Sequence, residues 1–146
     1  MIIIILILWT SYCLAEGVRD GFTFHKSGLA NNYYNKVLGY DIHVYFSVMR
    51  LVVIVACSIV ISNNILEYLL YAVDLALMQP LLSNGMYFYT RNKQDITVYP
   101  NGFITNIEHS TSTAKINIDK FRTRYIMFAI GLVSILVIQL YHLFIS

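Results

Sequence analysis

Charged residues are scarce in this chain: ten Lys and Arg and eight Asp and Glu make up 12% of its 146 residues. Soluble domains carry roughly 25% charged residues, so the sequence does not predict an ordinary soluble domain. The net charge of +2 is too small to indicate nucleic acid as a partner. Apolar residues instead make up 58% of the chain, a composition typical of a membrane protein.

Cysteine and catalytic motifs are also lacking. Cys13 and Cys57 each lie in an apolar run, and two cysteines placed in this way do not form a disulfide framework. The sequence contains no glycine-rich phosphate loop, no CxxC pair, no HExxH and no GxSxG. We therefore expect no cofactor, and an enzyme is the less favoured class of function.

The amino-terminal segment is apolar but short. Residues 2–9 read IIIILILW, the length of a signal-peptide core, and small residues precede a possible cut after Ala15. No Lys or Arg precedes this core, which weakens the signal-peptide interpretation and leaves a retained apolar anchor equally favoured. Residues 1–15 are therefore predicted to be either a signal peptide or a short apolar anchor. Residues 16–41 are polar and aromatic and are predicted to form an interfacial segment.

Three longer apolar stretches follow. Val44–Ser62 and Ile65–Ser83 are each long enough to span a bilayer, and Pro80 is expected to stop or kink the second helix. The short turn between them makes the two helices antiparallel neighbours, so residues 42–83 are predicted to form a transmembrane helical hairpin. Residues 125–146 contain the longest uncharged stretch and are predicted to form a C-terminal transmembrane helix.

Three charged residues, Arg50, Glu67 and Asp74, lie inside this hairpin. Charge inside a bilayer is costly, so such residues usually pair with one another or serve in binding or transport. Folding the hairpin about its turn brings Arg50 within one helical turn of Asp74, and we predict an ion pair between them. Polar residues also recur at helical spacing, which predicts one polar stripe on each helix. The stripes comprise His43, Ser47, Arg50, Ser58 and Ser62 on the first helix, and Glu67, Tyr71, Asp74 and Met78 on the second.

Residues 84–124 are rich in Asn, Thr and Tyr and are predicted to form a small β-meander outside the membrane. The sequence PNG at residues 100–102 suits a type I turn with Gly102 in the left-handed conformation, which predicts paired strands at Ile96–Tyr99 and Phe103–Ile107. The outer strand candidates are Met86–Arg91 and Ala114–Ile118. The predicted fold class is therefore a mainly α membrane protein, with a hairpin and a C-terminal helix, and α+β overall.

Two pairs of residues with metal-ligating side chains lie near the predicted membrane surface: Asp20 with His25, and Asp41 with His43. Oxygen and nitrogen ligands of this kind can hold a divalent metal whose bound water attacks a phosphate or an amide. On one helix, however, residues five apart do not share a face well. Ordinary interfacial roles are favoured, and a membrane-embedded metal-dependent hydrolase is the enzyme alternative.

The sequence DGFTFHK at Asp20–Lys26, followed by Asp41-Ile42-His43 and then Met49-Arg50, leads into an apolar span. This arrangement resembles a loose group of uncharacterised small membrane proteins of Bacteroidota bacteria and their phages. The resemblance extends to the end of the first span of the hairpin. It implies a recurring motif at the membrane interface and no particular activity.

The sequence thus predicts a non-catalytic component of a larger membrane assembly in a bacterial or mitochondrial inner membrane. Its expected partners are the lipid bilayer and other membrane protein subunits, or further copies of itself. A pore- or ion-path-forming oligomer, with Glu67 and Asp74 lining the path, is a further alternative. Nine of the ten Lys and Arg residues lie in residues 16–41 and 84–124. The positive-inside rule places both segments in the cytoplasm, whereas a cleaved signal peptide would export them.

Overall fold

The structure, a computed structural model, describes residues 1–26, 36–37, 40–106 and 120–145. This part of the chain contains four long helices and a single 3₁₀ turn at Gly102–Ile104. The helices are α1 (Ile2–Lys26), α2 (Ile42–Ile61), α3 (Ile65–Gln94) and α4 (Phe121–Ile145). Two short strands, β1 (Lys36–Val37) and β2 (Tyr40–Asp41), pair antiparallel immediately before α2.

Helix α3 is the centre of the bundle, because α1, α2 and α4 all pack against it. Helix α1 runs parallel to α3, since Gly17 lies against Ser83 and Gly21 lies one turn further along against Thr90. Helices α2 and α4 run antiparallel to α3. The apolar core comprises Trp9, Cys13, Ile54, Ile61, Tyr71, Leu75, Met78 and Ile135.

Three of the helices are long and apolar enough to cross a membrane, over Ile2–Phe22, Ile65–Gln94 and Phe121–Phe144. Helix α2 has a shorter apolar stretch, Tyr45–Ile61. The outward faces of the bundle carry many large apolar side chains. In water such a surface would cause aggregation, whereas lipid tails solvate it. The prediction that the chain contains helices able to span a membrane is therefore confirmed, by their length and composition.

The amino-terminal helix is longer than predicted. The sequence divides the chain at residue 15, but α1 continues through this boundary to Lys26. Trp9 and Cys13, from the predicted signal peptide or anchor, are fully buried in the core. The glycines at positions 17 and 21 do not end the helix, because their missing side chains let α1 approach α3 closely. Cleavage after Ala15 stays a prediction, and it would remove two core side chains.

Helix α3 also exceeds its prediction, because it does not end near Pro80. The proline is buried inside the helix, which continues to Gln94. Proline removes one backbone hydrogen bond and disfavours an isolated helix. Here the turns after Pro80 pack against α1 and against the segment that follows α3, and this tertiary contact outweighs the local cost.

The predicted β-meander is wrong, and so is the α+β fold class. Met86–Arg91 lies within α3, Ile96–Tyr99 forms turns and bends, and the second hairpin strand begins in the 3₁₀ turn at Gly102–Ile104. The fourth strand candidate, Ala114–Ile118, lies outside the described residues. Apart from the two-residue pair before α2, the described chain is organised by helices.

The turn within the predicted hairpin does form. The Gly102 N–H donates to the Tyr99 carbonyl at 2.8 Å, and Gly102 has a φ of 52°. The chain around it then folds onto α3 instead of pairing with itself. The Tyr99 ring packs against Phe88 with 4.8 Å between centroids, and Phe103 lies over Gly85. Burial of these aromatic rings on the helix replaces the predicted strand pairing.

Candidate functional site

The polar side chains inside the bundle form two groups, which join α3 to different neighbours. The first group, which we call the charged cluster, lies where α1, α2 and α3 meet. It comprises Glu16, Arg19, Asp20, Arg50 and Gln79. The second group, which we call the polar ladder, lies between α3 and α4. It comprises Glu67, Tyr71, Asp74, Ser134, Gln139 and His142.

Glu16 is the centre of the charged cluster. Its side chain is only 1% exposed, and its carboxylate accepts hydrogen bonds from the Arg50 Nε at 3.1 and 3.2 Å. The Arg50 Nη2 lies 3.1 Å from the same carboxylate, and the Gln79 Nε2 donates to it at 3.4 Å. A guanidinium presents its donors in a fork that matches a carboxylate. Each of the three helices therefore contributes one side chain to this hydrogen-bonded network, in which Glu16 is buried and Arg50 is partly buried.

A second arginine extends the charged cluster along α1. Arg19 donates to the Asp20 carboxylate from Nε at 3.0 Å and from Nη2 at 2.9 Å. Its Nη2 also lies 3.7 Å from the Glu16 carboxylate, and its guanidinium carbon lies 3.7 Å from the centroid of the Phe46 ring on α2. Cations over aromatic faces are attracted by the ring quadrupole. Two guanidinium groups thus face two carboxylates, which leaves the cluster without formal net charge when all four are ionised.

The predicted Arg50–Asp74 ion pair is wrong. Arg50 contacts Glu16 on α1, a residue that the sequence analysis assigned to an interfacial segment, whereas Asp74 faces α4. Folding the predicted hairpin about its turn gave the level of Arg50 and Asp74 along the helix axis. It did not give the direction in which each side chain points around that axis. A usable signal was the GxxxG spacing of Gly17 and Gly21, which favours close helix packing immediately after Glu16.

The polar ladder holds α4 along α3. The Gln139 Nε2 donates to the Tyr71 hydroxyl at 2.7 Å, and the Glu67 Oε1 lies 3.1 Å from the His142 Nε2. One turn further along α3, the Ser134 hydroxyl hydrogen-bonds the Asp74 carboxyl group. The predicted polar stripe on α3 is confirmed, but its partner is α4 and not α2. The stripe residues Glu67, Tyr71, Asp74 and Met78 are all buried.

Glu67 has a local structural role at the start of α3. Its carboxylate accepts hydrogen bonds from the Asn63 N–H at 2.8 Å, from the Asn63 Nδ2 at 3.2 Å and from the Asn64 Nδ2 at 2.7 Å. The Asn64 Oδ1 in turn accepts from the Glu67 N–H at 3.0 Å. This reciprocal arrangement is of the capping-box type, which satisfies N–H groups at the start of a helix. The Glu67 carboxylate therefore stabilises the turn between α2 and α3.

Arg124, which the sequence analysis treated only as a flank of the last span, is fully buried and holds the segment after α3 against α4. Arg124 donates from Nη2 to the Thr105 carbonyl at 2.7 Å and lies over the Phe88 ring, 5.0 Å from its centroid. The start of α4 is held by a further contact, in which the Phe121 N–H donates to the Asn106 Oδ1 at 2.8 Å. These contacts fix the start of α4 against α3 and the segment that follows it.

The four predicted metal ligands are described only in part. The Asp20 carboxylate is paired with Arg19. The side chains of His25, Asp41 and His43 lie outside the described part of the structure. Within the described residues, no three or more His, Cys, Asp or Glu side chains form a group that could hold a metal ion. The metal-site hypothesis stays a prediction.

Contacts between helices thus account for the charged cluster and for most of the polar ladder. The charged cluster joins α1 and α2 to α3, and the polar ladder joins α4 to α3. Asp74 differs from the other acids, because its Oδ2 is buried and has no hydrogen-bond partner among the described residues.

No family model, no curated protein and no solved structure matches this chain.

Proposed function

We propose that this protein is a small integral membrane protein that serves as a non-catalytic component of a larger membrane assembly. The observation that carries the proposal is the charged cluster. Glu16 and Arg50, which lie within the apolar part of the bundle, contact each other and hold three helices together. Their charges therefore have a structural use, and the proposal requires no substrate to explain them.

The outward surface of the helices supports the same proposal. Helices α1, α2 and α4 each present a face of exposed aliphatic side chains, which lipid or the apolar face of another subunit would cover. Such faces include Ile3, Ile4, Ile7 and Leu8 on α1, Leu51, Val52, Ile59 and Val60 on α2, and Val133, Leu136, Val137 and Leu140 on α4.

The proposal includes an orientation in the membrane. Because α1 runs parallel to α3, the carboxyl ends of both helices and the amino ends of α2 and α4 lie at one end of the bundle. All ten Lys and Arg lie in these halves of the helices or in the chain segments that join them in sequence. The positive-inside rule assigns this end to the cytoplasm or to the mitochondrial matrix. With α1 as a spanning helix, the apparent conflict between an apolar amino terminus and the charge distribution disappears.

The orientation predicts the accessibility of single cysteines. With Cys13 and Cys57 replaced by alanine, a cysteine at Thr97 should resist a membrane-impermeant thiol reagent applied to intact cells. A cysteine at Asn63, at the opposite end of the bundle, should react with it, and both residues are exposed in the structure. Labelling at Thr97 with protection at Asn63 would reverse the proposed orientation.

Membership of an assembly predicts the state of the protein after gentle extraction. In a mild detergent the 16.8 kDa chain should migrate in a complex of higher mass than the detergent-bound monomer, and chemical cross-linking should preserve that complex under denaturing conditions. A cross-linked partner identified by mass spectrometry would distinguish a second protein from a further copy of this chain. A monomer in every mild detergent, without cross-linked products, would contradict the proposal.

A further inference from the structure

Asp74 differs from the other acids within the helix bundle. Glu16 is paired with Arg50, and Glu67 accepts hydrogen bonds from the turn before α3. Asp74 is only 3% exposed, and none of the ion pairs found among the described residues includes it. Its Oδ2 is buried and has no hydrogen-bond partner in that part of the chain.

The surroundings of Asp74 are tightly packed. At Gly131 on α4, an added Cβ would lie 2.6 Å from the Asp74 carbonyl oxygen, so the two helices approach closely at this level. The Ser134 hydroxyl on α4 hydrogen-bonds the carboxyl group. Leu75 and Ile135, the next residues on the two helices, belong to the apolar core.

Among the residues that the structure describes, the titratable groups around Asp74 do not provide it with a counter-ion. On its own helix the nearest is Tyr71, whose hydroxyl accepts a hydrogen bond from Gln139. On α4 the facing polar group is the uncharged Ser134 hydroxyl. The charged residues that α1 and α2 direct into the bundle, Glu16 and Arg50, contact each other.

A carboxylate in such an environment has lost the water that stabilises its charge and has gained no cation in exchange. The protonated acid avoids this cost, because it is neutral and its O–H can donate a hydrogen bond. We propose that Asp74 is a proton-binding site within the membrane, with the proton held on its carboxyl group between α3 and α4. In the exchange step, a hydronium ion transfers its proton to a carboxylate oxygen of Asp74 and leaves as water, and the reverse step releases the proton to water.

This proposal deepens the proposed function. It rests on that function because it requires that lipid surrounds α3 and α4. A site of this kind gives the assembly one exchangeable proton in each copy of the chain. Release of that proton places a negative charge where α3 and α4 approach closely at Gly131, so the proton state and the contact between these helices are coupled.

Infrared spectroscopy of the purified full-length protein is the deciding test. A protonated carboxylic acid has a carbonyl stretching band that is separate from the bands of carboxylates and that shifts in heavy water. We expect such a band near neutral pH in the parent protein and its loss in Asp74→Asn, which keeps the shape and polarity of the protonated group. Glu67→Gln is the matched control and should keep the band. Absence of the band from the parent, or its persistence in Asp74→Asn, would overturn the proposal.

Dicyclohexylcarbodiimide, which partitions into lipid, provides a second test in liposomes. The protonated carboxyl group adds to the carbodiimide to give an O-acylisourea, which rearranges to an N-acylurea without loss of any atom. Peptide mass spectrometry should locate this adduct at Asp74, and Asp74→Asn should abolish it. An adduct confined to Glu16 or Glu67 would count against the site. If alkaline carbonate released the protein from membranes, the proposed function would fail, whereas the infrared result would still report whether Asp74 binds a proton.

Discussion

Gly17→Leu is expected to separate α1 from α3. A Cβ at this position would lie 2.3 Å from the Ser83 carbonyl oxygen, 2.8 Å from the Met86 Cβ and 3.0 Å from the Tyr87 backbone nitrogen. Two of these atoms belong to the backbone of α3, so they cannot move aside as a flexible side chain would. Overpacking typically costs about 1–3 kcal/mol, and we expect a loss of about 3 kcal/mol or more here.

The loss can be measured as the stability of the protein to a denaturing detergent added to a mild one, followed by circular dichroism. Ala15→Leu provides the matched control, because Ala15 is exposed on α1 and its replacement adds the same apolar side chain on the outer face. The control variant should unfold at the same detergent fraction as the parent. Parental stability of Gly17→Leu would show that α1 does not lie against α3 at this level.

Arg50→Met should also destabilise the bundle strongly, because it removes the closest cation from the buried Glu16 carboxylate and leaves only Arg19, 3.7 Å away. Breaking a buried ion pair from one side typically costs about 3–5 kcal/mol, and we expect about 3 kcal/mol because the Arg50 side chain is 30% exposed. Glu16→Leu should cost a similar amount, whereas the double variant should recover much of the loss. The same detergent titration measures all three variants.

Two controls make this double-mutant cycle specific. Arg122→Met removes an exposed arginine from the start of α4 and should leave stability nearly unchanged. Asp74→Leu combined with Arg50→Met should give no recovery, since Asp74 does not contact Arg50. Recovery with Asp74→Leu in place of Glu16→Leu would show that the hairpin pairs its charges as the sequence alone suggests.

The positions of α2 and α4 could be predicted from the sequence. The predicted span Val44–Ser62 corresponds to α2 at Ile42–Ile61, and the apolar stretch from Tyr125 lies within α4 at Phe121–Ile145. Both predictions rest on the length of an apolar run, which depends on little besides the thickness of a bilayer. The turn at Gly102 was predictable for a similar reason, because a left-handed glycine after Pro-Asn is a local requirement.

The lengths of α1 and α3 could not be predicted in this way. Gly17 and Pro80 disfavour a helix when only neighbouring residues are considered. In the structure, the glycine makes room for α3 and the proline is buried within the packed helix. Tertiary contact therefore reverses the local preference at both positions. The same is true of Met86–Arg91, whose strand-like pattern lies within α3.

The candidate site was only half predictable from the sequence. The spacing of Glu67, Tyr71 and Asp74 correctly predicted a shared face on α3. It did not predict which helix covers that face, because the angular position of a third or fourth helix around α3 depends on contacts between distant segments. Glu16 was missed as a partner of Arg50 for the same reason, since 34 positions separate the two residues.

The contact between α1 and α3 constrains how the protein is inserted during its synthesis. Helix α1 has few contacts with α2, the next helix to emerge, and its main partner α3 emerges only afterwards. In the interval Glu16 and Arg50 are already present, so pairing between them neutralises both charges before Gln79 arrives to complete the cluster. In an intermediate of α1 and α2, the paired charges therefore have a lower free-energy cost in lipid than the unpaired charge of either helix alone. We therefore expect the Glu16–Arg50 ion pair to stabilise α1 and α2 together before α3 and α4 have been synthesised.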